Sequence, residues 1–215
     1  SNVHAALVAA AGRKFFKEKV VDNLKVSVGA PAGFANAVVT ALGALSRVST
    51  GTLVVSDREV KLSGDALYEA AAVQIRAGLG KDFPQGWQFK PEISVRPPAA
   101  PVDATVCQQL FADLLGKARI RFESGRADIV ADSAGLLDRL IETALRCPNA
   151  NIEIAGHTDS DGDDAANQEL SEKRAQAVAD YLVKAGLPAT RFSAVGYGET
   201  QPVAGNDSGE GKAQN

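Results

Sequence analysis

The sequence predicts two small domains of mixed α and β structure: an α+β module, then an α/β-type domain with a mixed sheet. Three observations carry that expectation. The run Pro97-Pro98-Ala99-Ala100-Pro101 can neither continue a helix nor donate to a sheet ladder, so residues 97–104 read as an extended linker. Before it, helical and strand periodicities follow in the order α-β-β-α-β. After it they read β-α-β-α-β, whose crossovers demand parallel pairings and right-handed connections.

Composition narrows the function classes. A chain of 215 residues suits one large domain or two small ones, and its 45% apolar share is ample for ordinary cores. No apolar run reaches the roughly 18 residues of a membrane span. A net charge of −3 and 6% aromatic residues give neither a basic footprint nor stacking platforms for nucleic acid. Val3 to Ala11 lacks the basic n-region and cleavage pattern of a secretory signal. Ser1-Asn2, in a chain without methionine, is expected to be a processed or engineered end.

Ala5 to Lys17 is alanine-rich and helical, and Leu24 to Val28 alternates like a strand. Gly12-Arg13-Lys14-Phe15-Phe16 parallels Gly80-Lys81-Asp82-Phe83, so residues 1–30 are expected to be the back half of an earlier copy, or an unrelated lead-in. Phe34 to Ser46 has helical spacing. Thr52–Ser56 and Glu59–Ser63 are β-rich runs joined around Asp57-Arg58, a hairpin that Gly64-Asp65 should end. Leu67 to Leu79 reads as a helix, with Ala71, Ile75 and Leu79 on one side, and Trp87 to Val95 as a strand. Residues 31–96 contain no histidine, cysteine or clustered carboxylates, which suits packing or interaction better than chemistry.

Past the linker, Val106 to Leu115 carries Leu110, Leu114 and Leu115 at helical spacing. Ala118 to Glu123 alternates Ile120 and Phe122 with Arg119, Arg121 and Glu123, the pattern of a half-buried strand, and Ser124-Gly125 turns it. A helix is expected from about Ala127 to Arg146, with Leu137, Leu140, Ile141 and Ala144 as its stripe. Then come strand Ile152–Ala155, an acidic loop, a helix from about Ala165 to Ala185 stopped by Gly186 and Pro188, and strand Phe192–Gly196. Cys107 and Cys147 are either two buried thiols or a disulfide. Each sits at a helix edge with one supersecondary unit between them, which favours the bridge and an oxidising compartment.

On the helix Ala165–Ala185, Leu170, Ala177, Val178, Tyr181 and Ala185 fall on one face, and Arg174 falls among them. A cation there is costly unless it is paired, or snorkels to water. The loop at the carboxyl end of a strand is where ligands bind in open α/β sheets, and the helix N-terminus favours an anion. Arg174 can grip a carboxylate with two parallel bonds, and Asp159 can hold an ammonium. Together they suit a zwitterion.

Two resemblances extend this reading. Thr52 to Asp65 resembles a BON module, which implies an envelope protein associated with membrane lipid or other envelope proteins. Gly156-His157-Thr158-Asp159, Gly162, Asn167, Leu170-Ser171, Arg174-Ala175, Gly196-Tyr197-Gly198-Glu199, Pro202, Asn206 and Gly211 resemble the OmpA-like peptidoglycan-binding domain over residues 105–215. That resemblance implies non-catalytic, non-covalent binding of the peptidoglycan stem peptide. Asp159 and Arg174 would grip the diaminopimelate amine and carboxylate, with Thr158, Asn167, Leu170 and Ser171 around them. It implies no cofactor and a periplasmic place in the cell envelope near the outer membrane. The family motif continues beyond the position of Asn215 with two arginines and a last strand, so that strand is expected to be truncated. The layout as a whole resembles ArfA-type envelope proteins.

Two alternatives stay open. The domain would be an interaction module without ligand binding, or Asp159-Ser160-Asp161-Gly162-Asp163-Asp164 would hold calcium. The glycine and glutamate of a calcium loop are out of place here, and Asp163 or Asp164 is expected to cap the helix instead. With two histidines in the chain and no placed nucleophile, catalysis is not expected.

Overall fold

A computed structural model describes residues 2–16, 20–25, 29–78 and 83–212. The chain divides into two compact units, Ser1–Pro98 and Ala99–Asn215. Among the described residues no helix is long and apolar enough to cross a membrane.

The first unit runs α1 (Asn2–Phe16), α2 (Phe34–Leu45), β1 (Val48–Ser56), β2 (Glu59–Ala66), α3 (Glu69–Gly78) and β3 (Gln88–Val95). Its sheet is mixed, in the order β1-β2-β3, with β1 antiparallel and β3 parallel to β2. The hairpin turns at Asp57, whose φ of 54° is left-handed. Gly64 does not end β2. It faces Gly51 across the ladder, where a Cβ would meet the Thr50 carbonyl oxygen at 2.6 Å, so glycine is what lets the pair continue to Ala66. Val60, Leu62, Ala71, Ala72 and Ile75 are buried in this unit, and Trp87 donates from Nε1 to the Ala32 carbonyl (3.0 Å). The strand expected over Leu24–Val28 is not formed at Leu24-Lys25, and Val26 to Val28 lie outside the described residues. So do Leu79 to Asp82, which include Gly80 to Asp82 of the proposed internal repeat.

The second unit begins with α4 (Ala104–Lys117), capped by the Asp103 carboxylate accepting from Val106 N at 2.9 Å. Cys107 of α4 is disulfide-bonded to Cys147, which ends α5 (Ala134–Arg146). Arg191 closes the same end of α5, donating to the carbonyls of Ala144 and Ala150 (3.1 Å each) and of Cys147. Next along the chain are β4 (Ile152–Gly156), α6 (Asp164–Lys184), β5 (Phe192–Gly196) and the short α7 (Gly209–Lys212). β4 and β5 pair in parallel, Ile152 opposite Phe192 and Gly156 opposite Gly196.

One expected strand is missing. Ala118–Glu123 joins no sheet; its single bridge pairs Phe122 with Ile129. The segment folds back on residues 128–133: Val130 N donates to Arg121 O (3.0 Å), Glu123 N to Asp128 O (2.9 Å), and Arg121 N to Ser133 Oγ (2.8 Å). Those bonds use the donors and acceptors a ladder would need, and they also delay the next helix from Ala127 to Ala134.

The bridge closes a loop of sequence separation 40, which in the chain-entropy model disfavours the unfolded state by about 4 kcal/mol. Reduction, or Cys107→Ser, should lower the melting temperature of the second unit's transition and leave the first unit's unchanged. Identical melts with and without reductant would contradict this.

Candidate functional site

Two glycines bring the strand ends onto α6. A Cβ on Gly156 would lie 2.0 Å from the Ser171 carbonyl oxygen, and one on Gly196 would lie 2.5 Å from Glu172 N. Only bare backbone fits there. Pairing then continues past the strands, from Tyr197 N to Gly156 O and from Thr158 N to Gly198 O, both 2.9 Å. Ser171, fully buried, accepts from Gly198 N (2.9 Å) and donates to Gln168 O (2.8 Å). The two post-strand loops and the first half of α6 are thereby fixed to one another.

Above this junction lies a cleft of about 490 Å³. Asp159, Thr158, Asn167, Leu170 and Arg174 all line it, with Phe122, His157, Asp161 and Lys212. Ser171 does not; it lies beneath, holding the frame.

The acidic loop is shaped by its own bonds. Asp163 caps α6 by accepting from Ala166 N (3.1 Å), and Asp159 Oδ1 accepts from Asp161 N (3.0 Å). Asn167 Nδ2 donates to the carbonyls of Asp159 (3.3 Å) and Asp161 (3.2 Å) and to Glu199 Oε2 (2.9 Å), tying both loops together. Asp161 Oδ1 takes Lys212 Nζ at 2.6 Å. One carboxylate oxygen each of Asp159, Asp161 and Asp163 is thus engaged by a protein donor.

Arg174 is half-buried. Its Nε donates to the Arg126 carbonyl (3.1 Å), and its guanidinium stands 5.2 Å from the Phe122 ring centroid. Among the described residues no ion pair joins it to Asp159. Burial pulls its pKa below the ordinary arginine value, and the Asp159 charge opposes that shift. The helical face differs from expectation. The buried stripe is Asn167, Ser171, Ala175, Val178, Ala179 and Leu182, rotated by somewhat less than the roughly 100° that one residue spans. Arg174 therefore borders the packed face rather than lying within it.

Two polar atoms in the cleft wall are buried without a partner, Thr158 Oγ1 and His157 Nδ1. Thr158 is 3% exposed. The His157 ring stacks on Tyr197 (5.6 Å, 13°), whose hydroxyl donates to Glu153 Oε1 at 2.9 Å. Burial, the largest cause, lowers the His157 pKa from 6.5; the Gln201 backbone opposes this and Arg119 adds to it. A lowered folded value means that below pH 6.5 the unfolded chain takes up a proton the folded ring refuses. Stability should therefore be lost as pH falls through 6.5 and level off below the folded pKa. Melting temperatures between pH 7.5 and 5 should show a smaller acid-side decline for His157→Phe than for wild type. Parallel curves would remove this assignment.

Phe122, Arg126, Glu199 and Lys212 were not among the expected site residues. The alternation at Ile120 and Phe122 is the one signal that marked Phe122 as inward-facing; Arg126 acts through a carbonyl, which no side-chain pattern reveals.

Residues 121–215 match the OmpA family model. Outer membrane porin F of Pseudomonas fluorescens is 43% identical over 96 residues, covering 45% of this chain and 29% of the porin. The peptidoglycan-binding protein ArfA of Mycobacterium tuberculosis is 32% identical over 126 residues, covering 58% of this chain and 39% of ArfA. The chain thus spans well under half the length of these curated relatives. The solved peptidoglycan-associated lipoprotein of Burkholderia pseudomallei is 29% identical, with a TM-score of 0.42 over 45% of this chain and 81% of that one.

Proposed function

We propose, with residues 121–215 an OmpA-family domain, that the second unit binds peptidoglycan without covalent chemistry and tethers an envelope protein to the cell wall. The ligand group is the diaminopimelate of the stem peptide. Arg174 takes its carboxylate and Asp159 its ammonium, while Thr158 Oγ1 supplies a hydrogen bond and Leu170 packs on the methylene stem. Asn167 and Ser171 hold the loops that carry these groups. The observation that carries this reading is Arg174: a half-buried guanidinium steadied by Arg126 O and Phe122, lining one cleft with Asp159. A half-buried guanidinium whose terminal donors have no protein partner among the described residues is free to take a ligand carboxylate through two parallel bonds. Peptidoglycan binding in ArfA's name supports the same assignment.

We place the protein in the periplasm or cell envelope, associated with the outer membrane. Residues 31–96 act as a BON-like module contacting membrane lipid or envelope proteins. The test is cosedimentation with diaminopimelate-type sacculi. Wild type should pellet, and Asp159→Ala and Arg174→Ala should stay in the supernatant. Equal pelleting of all three would leave an interaction module as the better reading.

A further inference from the structure

When the charges lining the cleft are matched, one is left over. Its cations are Arg119, Arg121, Arg174 and Lys212. Lys212 holds Asp161 at 2.6 Å, Arg121 Nη1 stands 4.0 Å from Asp132 Oδ2, and Arg174 shares the cleft with Asp159, whose charge acts on it without an ion pair. Arg119 has no carboxylate at ion-pair distance among the described residues, and it is exposed at the cleft. Its charge is felt by the His157 ring, so the surplus sits at the His157 end. The buried Nδ1 of His157, still without a partner, lies at that same end.

A zwitterion held by Arg174 and Asp159 carries no net charge and leaves this surplus uncorrected. We propose that Arg119, with His157 beside it, forms a second subsite that takes another carboxylate of the same stem peptide. This rests on the zwitterion reading of Arg174 and Asp159. It makes the preferred ligand a peptide with one acid group beyond diaminopimelate, so capping or amidating that group weakens binding. Arg119 is exposed, so its contribution is one of specificity rather than of folding.

The experiment is titration calorimetry on the whole chain, wild type and Arg119→Gln. The ligands are free diaminopimelate, a diaminopimelate-containing stem peptide, and that peptide amidated at its terminal or at its internal carboxylate. Wild type should prefer the free acid over one of the amidated forms by about fivefold at low ionic strength, less with added salt. The form that is disfavoured identifies which carboxylate is read. Arg119→Gln should lose the preference while binding free diaminopimelate as wild type does. A preference retained in Arg119→Gln, or none in wild type, overturns the second subsite. Failure of free diaminopimelate to bind wild type overturns the zwitterion reading itself.

Discussion

Lysine in place of Arg174 should weaken binding of a diaminopimelate-containing muropeptide by about ten- to a hundredfold, although the charge is kept. An ammonium cannot reproduce the fork that makes two parallel bonds to a carboxylate, nor donate from an Nε position to Arg126 O while still facing the ligand. One charge-assisted bond is worth about 1.5–3 kcal/mol, and each 1.4 kcal/mol is tenfold in affinity. The Phe122 ring gives back part of the loss, since it accepts either cation over its face. Alanine removes everything and should cost more than lysine. Equal affinities for wild type and Arg174→Lys in calorimetry would mean that the guanidinium is not gripping a carboxylate.

Gly156→Ala should be severely damaging to the second unit. The added Cβ would stand 2.0 Å from the Ser171 carbonyl oxygen and 2.9 Å from its carbon, both backbone atoms that cannot rotate away. β4 and α6 would have to separate. Ordinary overpacking costs roughly 1–3 kcal/mol, and a clash with rigid backbone belongs at or above the top of that range. At several degrees per kcal/mol, the unit's melting temperature should fall by about 10 °C or more. Binding should fail with it, because the same junction sets where Thr158 and Asp159 lie relative to Arg174. A melt within about 2 °C of wild type would show that the strand end does not approach the helix so closely.

That Asp159, Asn167 and Arg174 share one cleft was legible because they are local, on one loop and the helix after it at fixed spacing. The phase of that helix was not legible, for a physical reason. Large apolar residues usually mark a packed face, but here glycine strand ends come so near that small residues, Ser171 and Ala175, occupy the closest contact. Leu170 and Tyr181, the larger side chains, are pushed to its borders. The segment Ala118–Glu123 misled for another reason. Its alternation is real, but Phe122 finds its pair at Ile129 within the next few residues, so no sheet is required. Gly64 looked like a strand end because glycine usually weakens a strand; opposite Gly51 it is what the ladder needs.

The bond between Cys107 and Cys147 takes on another meaning in a tether. Tension from the linker enters the second unit at α4, a surface helix in which only Cys107 is fully buried. Helices loaded at one end peel turn by turn; just ahead of this one, Val102 N donates to Arg146 O at 2.9 Å and Arg146 Nε to Ala100 O at 3.3 Å. The covalent link passes the pull directly to the end of α5, where Arg191 already ties Ala144, Cys147 and Ala150 to the turn before β5. Force therefore reaches the β4–β5 frame under the cleft without first unravelling α4. Under the proposed tethering, load in the oxidised protein bypasses α4, whereas in the reduced protein it runs through α4.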